Sequence, residues 1–192
     1  MTHRPPLLLA SASPRRLALL RALGLEPQVR PADVDEELLP GEDPHDAAER
    51  LARAKAAAVA ATAPAGAVVL AADTIVVLDG VALGKPRDDE DARRMLRALR
   101  GRAHDVVTGV ALARDGEVVS GRETTEVVFA PMTDEEVDAY VASGEPADKA
   151  GAYALQGLGG LFVERISGTP SNVIGLPFRL VRRLGAEVGF PL

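Results

Sequence analysis

The sequence predicts an α/β protein, in which strands and helices alternate along most of the chain. Leu7-Leu8-Leu9 is a short apolar strand that leads, through small polar residues, into a helix starting at Pro14. Residues 67–78 form a nearly continuous apolar strand of the kind covered on both faces. Asp43-Pro44 is typical of a helix start and predicts a helix to about Ala63. This order of elements is the pattern of a sheet flanked by helices.

The remaining elements follow from turn and capping signals in the sequence. We predict strands over 26–30, 104–113, 117–130 and Leu161-Phe162-Val163, with a hairpin turn at Asp79-Gly80. Helices are predicted over 88–99, from a capping box at Thr133 to about 143, and over 178–187. A loop is predicted over 167–172. No internal repeat or linker is visible, so residues 1–192 are expected to form a single domain.

Composition excludes several classes of function. The net charge of −6 and an aromatic content of 3% disfavour a nucleic-acid-binding protein, which needs a basic surface and stacking side chains. Because the chain has no cysteine, disulfides, thiolate nucleophiles and zinc–cysteine sites are excluded. No apolar run reaches the roughly 20 residues that span a bilayer, and no signal peptide is visible. We therefore expect a cytoplasmic protein without a membrane or nucleic-acid partner.

The first helix start has the features of an anion site. Ser13 is a good N-cap, and the turn that begins at Ser11 leaves backbone N–H groups pointing outward. Arg15 and Arg16 are unusual in a first turn, because the helix dipole disfavours cations there. A bound phosphate would explain both arginines. The alternative is a capped surface helix with two solvated arginines.

Asp73 and Thr74 interrupt the long apolar strand. An ionised carboxylate in such a strand is costly unless it is paired, hydrogen-bonded or bound to a metal, so Asp73 is a candidate functional acid. The structural alternative is an aspartate that caps a bend or pairs with a core arginine.

The chain has only three lysines against nineteen arginines: Lys55, Lys85 and Lys149. This usage suggests that lysine is kept where a compact point charge is needed. Lys55 falls on the apolar face of its predicted helix, either snorkelling from the edge of that face or directed into a cleft beside the sheet. Lys85 stands between a glycine and a proline at a strand end.

Carboxylates, cations and a helix N-terminus together are what metal-assisted attack on a phosphate requires. The carboxylates are Asp73 and the acidic cluster around Glu36. The sequence contains neither a P-loop nor the Gly-x-Ser-x-Gly motif of serine hydrolases. Gly157-Leu158-Gly159 lacks the spacing of a dinucleotide-binding loop.

Four motifs, in this order and spacing, resemble the Maf family of nucleoside triphosphate pyrophosphatases over nearly the whole chain. They are Ser11-Ala12-Ser13-Pro14-Arg15-Arg16, Ala72-Asp73-Thr74, Gly84-Lys85-Pro86 and the segment from Asp148 to Gly157. The resemblance implies an elongated, twisted mixed sheet with two lobes and a deep central cleft. It also implies hydrolysis of a nucleotide between its α- and β-phosphates with a divalent metal, Mg²⁺ or Mn²⁺, and a homodimer.

The same resemblance implies a role for each matching residue. Asp73 would accept the proton of the attacking water and share a metal with Glu36, for which Asp35 and Glu37 are rivals. Arg15, Thr74 and Gln156 would select the base. The phosphates would be held by Ser11, Ser13, Arg16, Lys55 and Lys85, with Lys149 lining the same cleft.

The segment from Asp148 to Gly157 resembles that of the dTTP/UTP subgroup, although Ala154 stands where that subgroup has glycine. A methyl group there could narrow the pocket or shift the turn that carries Gln156. Thr74 and Gln156 offer donors and acceptors that suit the imide edge of a pyrimidine. The alternatives are a 7-methyl-GTP pyrophosphatase of the same family and a non-catalytic regulator of cell division.

Overall fold

The computed structural model describes residues 5–192. Its strands are β1 (Leu7–Leu9), β2 (Gln28–Val29), β3 (Val68–Leu78), β4 (Val81–Leu83), β5 (Ala103–Arg114), β6 (Glu117–Phe129) and β7 (Val163–Ser167). Its helices are α1 (Pro14–Ala22), α2 (Pro44–Ala60), α3 (Asp89–Leu99), α4 (Asp134–Ala142), α5 (Pro170–Ile174) and α6 (Phe178–Glu187). Three short 3₁₀ segments, Glu145–Asp148, Ala150–Ala152 and Leu158–Phe162, lie between α4 and β7.

The strands form one mixed seven-stranded sheet in the order β2-β1-β3-β5-β6-β7, with β4 paired to β3. β1 is parallel to both β2 and β3, and Leu9 pairs with Leu70. β4 and β7 are antiparallel to β3 and β6, respectively. A sheet of this kind with interspersed helices confirms the α/β class. The expectation of a single domain over 1–192 stays a prediction.

Local signals placed most helix starts correctly. The side chain of Ser13 accepts a hydrogen bond from Arg16 N–H at the start of α1. Asp43 caps α2 in the same way, and Thr133 forms the predicted capping box of α4 with Glu136. The last helix has the predicted bounds, with Pro177 at its N-cap. Capping chemistry is local, so it could be recognised in the sequence.

Two predictions between residues 158 and 174 were wrong. Leu161 and Phe162 lie in a 3₁₀ segment, and the strand begins only at Val163. The side chain of Leu161 is 75% exposed, so its apolar character did not signal a buried strand. The predicted loop over 167–172 contains the start of α5, whose first residue, Pro170, suits the first position of a helix.

The chain divides into two compact units. The first unit comprises the described residues up to Asp73 together with Thr108–Glu123 and Gly175–Leu192. It contains two apolar clusters. One is centred on large side chains such as Leu9, Leu20 and Leu184, and the other consists mostly of alanines and valines from α2, β3 and β5.

Small residues in the first unit allow α2 to approach β5 closely. A Cβ atom added to Gly109 would lie 2.1 Å from the backbone oxygen of Ala48. No side chain fits at this distance, so glycine is required for the helix backbone to rest on the strand. This contact sets the distance between α2 and β5.

The second unit comprises Thr74–Val107 and Thr124–Ile174. Its core includes an aromatic group in which the rings of His104, Phe129 and Tyr153 pack edge to face, with centroids 4.7–5.4 Å apart. His104 Nε2 lies 2.8 Å from Tyr153 Oη. Burial lowers the pKa of His104 to about 4, so the ring is neutral at pH 7.

Among residues 5–192, no helix combines the length and the apolar character needed to cross a membrane.

Candidate functional site

Asp73 is a buried carboxylate, and the ammonium group of Lys55 is its partner. Asp73 lies on β3 with 8% of its surface exposed, and its Oδ1 is 2.6 Å from Lys55 Nζ. Burying an ionised carboxylate is costly unless a cation compensates it. The pair explains how Asp73 is tolerated in an apolar strand. The partner of Asp73 is thus a lysine and not the core arginine considered from the sequence.

Glu36 makes the second contact with the same ammonium group. Glu36 Oε1 lies 2.7 Å from Lys55 Nζ, and the Glu36 side chain is 55% exposed. Two carboxylates therefore converge on one cation, with Asp73 on the buried side and Glu36 on the exposed side. We call Glu36, Lys55 and Asp73 the acid–lysine group.

Helix α2 positions Lys55 for this role. Lys55 lies on the same buried face as Leu51, Ala52 and Val59, and only 7% of its surface is exposed. A lysine that snorkels keeps its ammonium group in water, whereas this one is directed at β3. Ala58, by contrast, lies on the exposed side of the helix.

The first turn of α1 forms a second polar group in the same unit. Ser11 Oγ accepts hydrogen bonds from Ser13 N–H at 3.2 Å and from Arg16 Nη1 at 3.1 Å. Arg16 Nε donates to the carbonyl oxygen of Gly175 at 2.8 Å. The guanidinium plane is held by these two contacts, so Arg16 is preorganised in a way that a solvated surface arginine is not.

The electrostatics of Arg16 link this turn to the acid–lysine group. Burial lowers the pKa of Arg16, the charge of Asp73 opposes that effect, and the neighbouring charge of Arg15 adds to it. Glu36 also acts to raise the pKa. The predicted phosphate-binding and acidic residues of the first unit thus lie within electrostatic range of one another.

Contacts within the acidic cluster distinguish its members. Asp35 Oδ1 accepts a hydrogen bond from Glu37 N–H at 2.9 Å, which is a local turn contact. The Glu37 carbonyl oxygen accepts from Arg50 Nη2 at 3.0 Å. Of the three acidic residues, Glu36 is the one whose carboxylate pairs with Lys55.

The remaining predicted residues belong to the second unit. Thr74 follows Asp73 along β3 and is half-buried, whereas Lys85 and Gln156 are exposed. The backbone beside Lys85 is fixed by a hydrogen bond from Gly151 N–H to the carbonyl oxygen of Gly84 at 3.1 Å.

Two further residues of the segment from Asp148 to Gly157 have defined surroundings. Lys149 Nζ donates to the carbonyl oxygen of Glu145 at 3.0 Å and pairs with Asp148. Ala154 is buried, and its N–H donates to Tyr140 Oη at 3.2 Å. Ala154 is absent from the described non-glycine residues with positive φ, so its methyl group causes no backbone strain.

The chemistry of the donor set fits a divalent cation. Mg²⁺ prefers oxygen ligands and is commonly held by one or two carboxylates together with substrate phosphates. Glu36 and Asp73 supply two such carboxylates, brought together by Lys55. Within residues 5–192, no group of three or more His, Asp or Glu side chains has a metal-binding arrangement. A cation here would therefore take its remaining ligands from substrate and water.

Sequence reasoning missed Glu145, which contacts the turn following Gln156. It also missed a depression of about 680 Å³ in the first unit, lined by the arginines at positions 122, 179, 182 and 183. These arginines are all exposed, and none of the predicted site residues lines the depression. The acid–lysine group is therefore the better candidate site.

A buried carboxylate can accept a proton from water, and a helix start with a fixed arginine can bind phosphate groups. The fold is that of an α/β protein, and these groups have the chemistry that a phosphate-handling site requires. The chain belongs to the Maf family, because the family model described as Maf-like protein matches residues 6–188.

Curated relatives match the chain over nearly its whole length. A dTTP/UTP pyrophosphatase of Anaeromyxobacter dehalogenans (strain 2CP-C) is 56% identical over 192 residues, covering 98% of this chain and 96% of the relative. One of Geobacter sulfurreducens is 52% identical, covering 94% and 97%. One of Chromobacterium violaceum is 47% identical, covering 100% and 98%.

Solved structures match more distantly. The Staphylococcus aureus Ham1 protein has a TM-score of 0.47 and 19% identity, with 65% of this chain and 72% of that chain covered. A HAM1 protein from Coxiella burnetii has a TM-score of 0.46 and 21% identity, with 67% and 74% covered. Likenesses at this level support no conclusion about activity.

Proposed function

We propose that this protein hydrolyses dTTP and UTP to the nucleoside monophosphate and pyrophosphate. The observation that carries the proposal is the acid–lysine group, in which a buried carboxylate is paired with Lys55 and lies within electrostatic range of Arg16. The family membership and the names of the relatives, at 47–56% identity over nearly the full chain, support the substrate.

In the proposed reaction, Asp73 accepts a proton from water, and the water oxygen forms a bond to the α-phosphorus. The phosphoanhydride bond between the α- and β-phosphates breaks, and pyrophosphate leaves. Lys55 keeps Asp73 oriented through its 2.6 Å contact. Arg16, Ser11, Ser13 and Lys85 hold the phosphate oxygens. Lys55, which was predicted for the same role, instead pairs with Glu36 and Asp73. The negative charge that develops on those oxygens is stabilised by cations whose positions are already fixed.

Glu36 and Asp73 would hold a divalent cation, Mg²⁺ or Mn²⁺. When bound, it compensates the charge of the phosphates and makes the phosphorus atom a better electrophile. The two carboxylates would contribute differently to binding the cation, because Glu36 is the more exposed of the two and Asp73 the more buried.

Arg15, Thr74 and Gln156 select the base in this proposal. The amide of Gln156 offers both a donor and an acceptor, which complement the imide edge shared by thymine and uracil. Cytosine presents an amino group in place of the 4-carbonyl group and an unprotonated N3, so an amide held in one orientation would discriminate against it. A cytoplasmic homodimer stays a prediction of the family resemblance.

The experiment is a measurement of pyrophosphate release, with Mg²⁺ or Mn²⁺, from dTTP, UTP, CTP, the purine triphosphates and 7-methyl-GTP. The wild type is compared with Asp73→Asn and with Asp89→Asn, a control at an exposed aspartate in the first turn of α3. We expect dTTP and UTP to be preferred, and Asp73→Asn to lower kcat by about 10²–10⁴-fold.

Each other outcome contradicts a defined part of the proposal. A preference for 7-methyl-GTP would keep the chemistry and overturn the substrate. Equal loss in both variants would remove the special role of Asp73. A folded wild type that releases no pyrophosphate from any nucleotide would favour the non-catalytic regulator.

A further inference from the structure

The turn that carries Gln156 is held by a side chain outside all four motifs that identify the family. Glu145 begins the 3₁₀ segment after α4. Its Oε1 accepts hydrogen bonds from Tyr140 Oη at 2.8 Å and from Gly159 N–H at 2.9 Å, and its Oε2 accepts from Leu158 N–H at 3.0 Å. One carboxylate therefore binds two consecutive backbone amides of the turn.

Tyr140 ties the other side of the turn to the same carboxylate. Its Oη accepts a hydrogen bond from Ala154 N–H at 3.2 Å while donating to Glu145. The chain is thus attached two residues before Gln156 and again two and three residues after it. Gln156 lies between these attachments, and its side chain is exposed.

The backbone of the turn is shaped to fit this carboxylate. Gly157 has a φ of +109°, and a Cβ atom added to it would lie 2.3 Å from Glu145 Oε2. The residue directly after Gln156 must therefore be glycine, both for its conformation and for the space that Glu145 occupies. This close approach explains a glycine that resembled part of a dinucleotide-binding loop.

The electrostatics favour the ionised form of the Glu145 carboxylate. Burial alone would raise the pKa of Glu145, but the hydrogen bonds from Gly159 N–H, Tyr140 Oη and Leu158 N–H outweigh this effect and lower the pKa. Hydrogen bonds to an ionised acceptor are shorter and stronger than neutral ones. Glu145 is therefore well suited to restrain a loop.

We infer that Glu145 is a positioning residue for substrate selection, which fixes the Gln156 amide in the orientation that reads the base. The inference rests on the proposed function in one respect, namely that Gln156 contacts the base. Glu145 acts through the turn and does not touch the nucleotide. Its loss should therefore change discrimination between bases more than it changes the hydrolysis step.

The test compares Glu145→Gln with Glu135→Gln, a control at an exposed glutamate in the first turn of α4. The glutamine keeps the size of the side chain, but its NH₂ group would face a backbone N–H. We expect the ratio of kcat/KM for dTTP over dCTP to fall about tenfold in Glu145→Gln, through a higher KM for dTTP with kcat within about twofold. Glu135→Gln should match the wild type.

A double variant separates positioning from general damage. If Glu145 acts through Gln156, Glu145→Gln in a Gln156→Ala background should lower the ratio no further than Gln156→Ala does alone. Additive losses in the two variants would overturn the inference. Glu145→Asp, which keeps the charge, should restore part of the discrimination.

Amide hydrogen exchange tests the contact without any substrate. We expect the amides of Leu158 and Gly159 to exchange at least about tenfold faster in Glu145→Gln, with unchanged exchange in the β3 strand. Unchanged exchange at these two amides would overturn the inference. If Gln156→Ala leaves discrimination intact, the base-reading role proposed for Gln156 fails, while the exchange result still reports whether Glu145 fixes the turn.

Discussion

Lys55 Nζ lies 2.6 Å from Asp73 Oδ1 and thereby connects the middle of α2 to the middle of β3. Both side chains are almost inaccessible to water, with exposed fractions of 8% and 12%. The pair lets an acid stay charged inside an apolar strand, where its position is fixed by the sheet and its partner by the helix. Stability and proposed catalysis therefore depend on the same two groups.

Replacing Lys55 by methionine should destabilise the protein by about 3 kcal/mol, because Asp73 becomes a buried charge without its cation and faces Glu36. Urea unfolding measures the change. Lys85→Met is the matched control, since Lys85 is exposed and should shift the free energy of unfolding by less than about 0.5 kcal/mol. Adding Asp73→Asn to Lys55→Met should recover part of the loss. If the two losses simply add, the residues are not energetically coupled.

Two neighbouring acids, Glu36 and Glu37, should differ sharply in their effect on activity. Glu36→Gln is expected to lower kcat/KM by about tenfold or more and to raise the Mg²⁺ concentration needed for half-maximal rate, because it removes one of two carboxylate ligands. Glu37→Gln is the control and should stay within about twofold of the wild type, because the structural contact of Glu37 is made by its backbone. Equal losses in both variants would show that the acidic cluster acts only through its summed charge.

His104 should make the protein sensitive to acid. Its pKa falls from 6.5 to about 4 on burial, so between these values the unfolded chain binds a proton that the folded chain does not. The neutral ring contributes its full stabilisation above pH 6.5. As the pH falls this contribution is lost, so the free energy of unfolding should be lower by about 2–3 kcal/mol at pH 4.5.

Comparing variants isolates this contribution from that of the carboxylates. In His104→Gln, the free energy of unfolding should fall less steeply between pH 7 and pH 4.5 than in the wild type. Parallel curves for the wild type and His104→Gln would contradict the assignment.

Gly109→Ala should destabilise the protein by about 3 kcal/mol, which is at the upper end of the usual cost of overpacking a core position. The added Cβ would collide with the backbone of Ala48, which cannot rotate away as a side chain could. Because α2 carries Lys55, activity should fall as well.

Gly66→Ala is the control, since its φ is +76° but no atom lies near the added Cβ. Its cost should be limited to backbone strain, about 1 kcal/mol. If both substitutions cost the same, the close packing of α2 on β5 is not a limiting contact.

Much of the fold could be predicted from local chemistry. Ser13, Asp43 and Thr133 each cap the helix that follows, as their side chains indicate in the sequence. One failure occurs where no such rule applies. Leu161 and Phe162 have the composition of a strand but lie in a 3₁₀ segment, because two glycines precede them and Leu161 packs against little of the chain.

The candidate site was predicted as a set of residues rather than as an arrangement. Asp73 could be singled out because a carboxylate in an apolar strand needs compensation, and its partner was sought among the arginines. The choice of Glu36 over Asp35 and Glu37 followed from family resemblance alone. The contact between Glu36 and Lys55 depends on the path of the irregular segment that contains Glu36. An irregular segment has no hydrophobic periodicity from which its path could be predicted.

The sequence by itself determined the caps, the apolar faces, the anomalous acid and the family motifs, because each depends on neighbours along the chain. Only the tertiary structure decided that Lys55 joins Glu36 to Asp73, and that Glu145 binds the turn that carries Gln156. These contacts link residues 13 to 19 positions apart through an irregular segment or between separate elements. Side-chain periodicity defines which face of an element is buried, but only packing in three dimensions defines what that face meets.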